Sequence, residues 1–128
     1  MTCMSKIALV VGVDAALRVK LARWLAGFEI DSLYVADGTG ARALIASVQP
    51  DLVILAPGSG TLDLLADLAR KAELRHGQGT RVMLCARNRD AELLSVAVAE
   101  GADECLIAPF DADILKFKLE QTGILAVQ

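Results

Sequence analysis

The chain has no apolar run approaching the roughly 20 residues that a membrane-spanning helix needs, so no bilayer crossing is expected. It has no basic cluster. Its 13 Lys and Arg are spread among 16 Asp and Glu for a net charge of −3, which removes the electrostatic case for nucleic-acid binding. Its three cysteines, Cys3, Cys85 and Cys105, are odd in number and far apart, and fit neither a disulfide framework nor a zinc site. They read as free thiols of a reducing compartment, two of them packed as small hydrophobes. The opening Met1-Thr2-Cys3-Met4-Ser5-Lys6 lacks the order of a signal peptide, so a cytoplasmic location is expected. Repeats, low-complexity tracts and linkers are missing too. Residues 1–128 are therefore expected to form one domain, large enough to bury a core without disulfides or metal.

What is present is a regular alternation of short apolar runs and helical stretches, in a chain whose 55% hydrophobic content suits an ordered core. Ile7 to Val11 reads as the first strand. Asp14 can cap a helix from about Ala15 to Ala26, with Leu17, Leu21, Trp24 and Leu25 on one face and Gly27 as its stop. Ile30 to Ala36 reads as the second strand, and Asp37-Gly38 turns into a helix from about Gly40 to Val48 with Ala43, Leu44 and Val48 inward. Pro50 closes that region ahead of the third strand, Asp51 to Leu55. A helix from about Thr61 to Leu74 is broken by Gly77-Gln78-Gly79. A fourth strand, Arg81 to Cys85, precedes a helix from about Arg89 to Glu100 that Gly101 stops. A fifth strand of roughly Glu104 to Ile107 and a last helix from about Asp111 to Gln121 complete the series. Strands apolar throughout are buried on both faces, so the expected fold is a doubly wound α/β domain with a parallel sheet covered on each side.

Four segments carry a family resemblance: Val10-Val11-Gly12-Val13-Asp14-Ala15-Ala16-Leu17-Arg18, Pro50-Asp51-Leu52-Val53-Ile54-Leu55, Met83-Leu84-Cys85-Ala86-Arg87 and Gly101-Ala102-Asp103-Glu104-Cys105-Leu106-Ile107-Ala108-Pro109-Phe110. In order and near spacing they resemble the receiver domain of bacterial two-component response regulators, over about Lys6 to Gln121. The resemblance implies a five-stranded flavodoxin-like sheet in the order 2-1-3-4-5. One departure is local: the stretch from Ala56 to the next helix is shorter than the family's, and Arg75 to Gly79 is longer.

The chemistry that the resemblance implies is mostly missing. Receivers hold magnesium with an acidic pair after the first strand. They carry an acceptor Asp after the third strand, a Thr or Ser after the fourth and a Lys before Pro-Phe after the fifth. Those positions fall here on Gly12 and Val13, on Ala56, on Cys85 and on Ala108. The aromatic switch position, three before the lysine position, falls on Cys105, and Asp14 beside the pair keeps a carboxylate. One carboxylate with no phosphate opposite cannot supply the octahedral oxygens magnesium wants, and Ala56 has no nucleophile. The expectation is a degenerate pseudo-receiver that takes no phosphoryl group, needs no cofactor or metal and is not an enzyme. The resemblance also implies a cis Ala108–Pro109 peptide, a minority form among X–Pro bonds.

Other residues read two ways. Pro57-Gly58-Ser59-Gly60-Thr61, at a helix start, suits an anion, yet it is neither a full dinucleotide fingerprint nor a P-loop and also reads as a tight capped loop. Arg87 and Arg89, flanking Asn88, could grip a phosphate or simply be solvated. His76, alone after Arg75, reads as surface. Cys85 and Cys105, on adjacent strands if the order holds, read as packed thiols ahead of a redox pair.

The function expected first is a phosphorylation-independent signalling module acting by protein–protein contact. Its partner would be a kinase, an output domain or a second copy, with no nucleic acid or membrane involved. It would stand alone or be part of a larger protein, into which Thr122 to Gln128 could lead. In receivers the face of the fourth helix, fifth strand and fifth helix binds partners or forms homodimers. Cys105, Phe110, Asp111 and Lys116 are its candidate residues, beside a fourth helix made apolar by Leu93, Leu94, Val96 and Val98. The alternative is a small-ligand or nucleotide sensor using the emptied pocket and Gly58, Ser59, Gly60 and Thr61. A flavodoxin-like enzyme is weakest, since no nucleophile–base pair or paired carboxylates stand at the strand ends.

Overall fold

The computed structural model describes residues 6–57, 63–68, 80–87, 95, 99 and 101–126. The apolar runs pair as strands: β1 (Lys6–Val11), β2 (Ile30–Val35), β3 (Leu52–Leu55), β4 (Arg81–Arg87) and β5 (Glu104–Ala108) form one sheet in the order β2-β1-β3-β4-β5. Every pairing is parallel. The expected doubly wound topology and strand order are therefore both present.

Successive side chains of a strand point to opposite faces, and helices cover both. Ala8 and Val10 of β1 meet Leu21 and Leu25 of α1 (Ala15–Gly27) and Leu115 and Leu119 of the C-terminal helix (Ala112–Gln121). Leu9 and Val11 point the other way, toward Ala41 and Ile45 of α2 (Gly38–Val48) and Leu64, Leu65 and Leu68 of the helical residues 63–68. All four residues of β3 are buried, which is why that run is apolar without alternation. Ser95 and Ala99 are helical, within the stretch expected to form the fourth helix.

Three aspartates start helices by accepting a backbone N–H in the first turn: Asp14 from Leu17 (2.8 Å), Asp37 from Gly40 (2.9 Å) and Asp111 from Ile114 (3.0 Å). The caps move several expected boundaries. Capped by Asp37, α2 begins at Gly38 and not at Gly40, and its buried stripe is Ala41 and Ile45. Ala43, expected inward, is exposed, while Leu44 and Val48 are half-buried. Gly27 does not stop α1. The helix runs through it, Phe28 packs against the core as the C-cap, and the left-handed residue is Glu29 (φ 63). Gly101 (φ 108) does take the turn before β5.

Beyond the C-terminal helix, Gly123 (φ 81) reverses the chain, and the N–H groups of Ile124 and Leu125 return to the Leu119 carbonyl. Ile124 is buried and its carbonyl accepts from the Lys6 ammonium, so residues 123–125 turn back onto the core beside β1.

Candidate functional site

The loops after β1, β3, β4 and β5 meet at the carboxyl edge of the sheet, where doubly wound folds place their sites. Gly12 adopts φ 75, a left-handed backbone that an L side chain rarely takes, and its N–H donates to Val35 O at 3.0 Å. A Cβ built on it would lie 4.0 Å from the Ala56 Cβ. The two positions where the resemblance expects a metal ligand and a phosphoryl acceptor are therefore neighbours, as they must be in a working receiver.

What lines this edge is apolar. Val13 is only 4% exposed and belongs to the α1-side core cluster, together with buried Cys85, while half-buried Ala56 packs against the same cluster. Where the resemblance expects oxygens around a phosphoryl group, the loops after β1 and β3 carry an isopropyl and a methyl, and β4 carries a thiol. Ala108 closes β5, and the Ala108–Pro109 peptide is cis as the resemblance implies. Asp14, the carboxylate retained beside the pair, caps α1. Among the described residues, no three His, Cys, Asp or Glu side chains gather as a metal site.

The Cys85 thiol is pushed up from an ordinary 9.0 to about 11, first by burial and then by the Asp14 carboxylate. It stays protonated at neutral pH, and only a thiolate is a good nucleophile. Cys105 is also pushed up, by burial and by Glu104, against a smaller opposing effect of Lys118. The two cysteines lie on adjacent strands as expected. Register pairs Leu84 with Cys105 and Cys85 with Leu106, however, so the thiols point to opposite faces of the sheet. Cys85 lies in the α1-side cluster and Cys105 packs in the other, which rules out a disulfide between them in this fold.

Of the four residues assigned to a contact face, Cys105 and Phe110 pack against different layers of the core. Cys105 is half-buried in the α2-side layer. Phe110 turns under the opposite layer, its ring centroid 5.8 Å from that of Trp24. Asp111 is exposed and engaged as a helix cap. Lys118 is the lysine that faces β5, its ammonium 2.8 Å from Glu104. Lys116 lies two residues away, a rotation of about 200° on a helix, so it leaves from the other flank. Burial raises the Glu104 carboxyl, but the Lys118 hydrogen bond and charge and the Cys105 N–H bring it net below its ordinary value.

Gly58, Ser59, Gly60 and Thr61 lie outside the described residues, as do Arg75, His76, Asn88, Arg89, Leu93, Leu94, Val96, Val98, Cys3 and the side chain of Arg87. Sequence reading missed two contacts. The Arg18 guanidinium sits 4.3 Å from the Tyr34 ring centroid, and the Tyr34 hydroxyl donates to Val13 O at 3.2 Å. Tyr34 thus ties β2 to the loop after β1. No local pattern announces a pairing across 16 residues and two elements.

No protein-family model matches the chain. It is 29% identical over 113 residues to the DNA-binding response regulator MtrA of Mycobacterium bovis, across 86% of this chain and 47% of that protein. The chain thus spans about half the length of the curated relatives it matches. Among solved structures it resembles the signal receiver domain of an HD domain-containing protein from Pseudomonas fluorescens Pf-5, with TM-score 0.79 and 26% identity over 94% of this chain and 96% of that one. It also resembles the chemotaxis response regulator CheY4 of Vibrio cholerae, with TM-score 0.77 and 18% identity over 93% and 99%. The fold is that of the receiver domain of two-component response regulators. No helix among the described residues is long and apolar enough to cross a membrane.

Proposed function

We propose that this chain is a receiver-fold signalling module that takes no phosphoryl group and works through protein–protein contact. The observation that carries the reading is the union of Val13, Ala56 and Cys85 with one hydrophobic cluster at the edge where receiver chemistry would sit. Phosphoryl transfer to a carboxylate is positioning plus charge stabilisation. Here the acceptor position holds a methyl group, the metal positions hold Gly12 and Val13, and the lysine position holds Ala108. Restoring one oxygen at a time would not rebuild the site, because Val13 is packed as core.

The reading includes no catalytic step and no resident cofactor, and it assigns the domain's contacts to a kinase, an output domain or a second copy. The MtrA relatives are DNA-binding response regulators. A DNA-binding output in the same pathway is compatible with a domain that itself touches only protein. The small-ligand alternative gains nothing at Val13, Ala56 and Cys85, which offer an anion no charged side chain.

Incubation with acetyl phosphate and magnesium, read by intact mass, tests this. The expected spectrum is unchanged. A stoichiometric phosphoryl adduct on an aspartate would overturn the reading.

A further inference from the structure

Thr122 to Leu125 follow the C-terminal helix and are fastened to the domain by few groups. The Leu119 carbonyl accepts from the Ile124 N–H (3.0 Å), the Leu125 N–H (3.2 Å) and the Thr122 hydroxyl (3.1 Å). A carbonyl oxygen has two lone pairs, so three donors share it and none is bonded at full strength. Gly123 makes the reversal at φ 81, and a Cβ built on it would meet no heavy atom within 4 Å, so the turn is open on that side. Within residues 122–126 only Ile124, 6% exposed, enters the core. Leu125 packs against it half-buried, Gly123 and Ala126 are exposed, and none of these residues belongs to a strand or helix.

The remaining attachment comes from the far end of the chain. The Lys6 ammonium donates to the Ile124 carbonyl across 118 positions, and Lys6 is itself exposed at the start of β1. One apolar side chain, one shared carbonyl and one ammonium bond thus hold the segment down. Segments with so little burial open at lower cost than the sheet beneath them.

We infer that Thr122–Leu125 is a strap that docks and releases as a unit, with Ile124 as its plug and Lys6 as its clasp. Its docking is felt on the β5 side of the helix. The Thr122 N–H donates to the Lys118 carbonyl at 3.1 Å, and the Lys118 ammonium lies 2.8 Å from Glu104. Glu104 in turn accepts the Cys105 N–H at 3.0 Å. Release therefore loosens the last turn of the helix, and with it the ion pair that joins this helix to β5. It also uncovers the slot of Ile124 beside the first residue of β1, at the edge of the sheet opposite Gly12 and Ala56. A contact that favours the docked strap favours the Lys118–Glu104 pair, and by linkage the reverse holds. The inference goes beyond the contact-based function and does not rest on it, since nothing in it involves the emptied site.

The test uses the whole chain, uniformly labelled with ¹⁵N, without magnesium or acetyl phosphate, so that it reads independently of the phosphorylation experiment. Native-state hydrogen exchange is followed amide by amide through a series of low urea concentrations. The Ile124 and Leu125 amides are expected to exchange at least about tenfold faster than those of Val53 and Ile54, at rates nearly independent of urea. Strap amides that exchange only with global unfolding, rising in step with urea, would overturn the inference. Lys6→Met keeps the apolar stem and removes the ammonium; it is expected to speed strap exchange about tenfold, and Lys6→Arg to restore it. Equal rates in Lys6→Met and the parent chain would refute the clasp. Ile124→Asp is expected to leave the strap undocked on a folded domain and to shift the Lys118 and Cys105 amide signals. An undocked strap with the Cys105 signal unmoved would refute the coupling to β5. Ile124→Ala, a milder truncation, makes the same comparison should Ile124→Asp not fold.

Discussion

Cys85 is where a single side chain reports most directly on the site. Its thiol is buried next to a carboxylate, and both surroundings disfavour the thiolate, lifting its pKa from 9.0 to about 11. A displacement of that size is linked to on the order of 2–3 kcal/mol. The sign follows from linkage: the folded state binds the proton more tightly than the unfolded chain. The stabilisation is therefore full below the ordinary thiol pKa and is lost as pH rises from about 9 through about 11. Chemical denaturation across that window should show the native protein losing stability faster with pH than Cys85→Ala. Parallel curves for the two would show that the thiol is not held protonated by the fold. The same argument predicts that at pH 8 Cys85 reacts with a thiol reagent only as fast as the protein unfolds.

At the scale of elements, short polar caps set where helices start and therefore which residues face inward. Asp111 illustrates this. Its sequence position beside Pro109-Phe110 suggested a contact residue, and its carboxylate also accepts the Ile114 N–H and opens the C-terminal helix. Asp111→Ala should cost about 1 kcal/mol, lowering the melting temperature by a few degrees. Asp111→Asn, which can still accept that bond, should restore most of the loss. Equal losses in the two variants would remove the capping role. The helix that Asp111 starts is held to β5 by the Lys118–Glu104 pair, half-exposed at both ends and so of modest strength. Its main attachment is the buried pair Leu115 and Leu119.

In the whole molecule the central strand β3, buried at all four residues, should tolerate change least. Ile54 is completely buried, between β1 and β4, in the cluster that also contains Val13 and Cys85. Truncation there leaves a cavity that helices on both faces cannot collapse to fill. Ile54→Ala is expected to lower unfolding free energy by about 2–5 kcal/mol in urea titrations. A loss below about 1 kcal/mol would mean that the sheet's centre is less tightly packed than its burial indicates.

The sequence alone determined the class of fold, because buried parallel strands must be apolar on both faces and the intervening amphipathic stretches must cover them. It also determined what the edge of the sheet lacks, since Ala56 and Ala108 carry no reactive group in any conformation. Tertiary structure decided everything that depends on register and rotation. Register sent Cys85 and Cys105 to opposite faces, because a shift of one residue in a pleated strand reverses its side chain. Helix phase, set by the aspartate caps, turned Lys118 and not Lys116 toward β5 and buried Ala41 and Ile45 in place of Ala43. The Arg18–Tyr34 contact exists only because β2 pairs beside β1 and turns Tyr34 toward α1. A residue's type travels with the sequence, but its direction is settled by the neighbours that the chain brings to it.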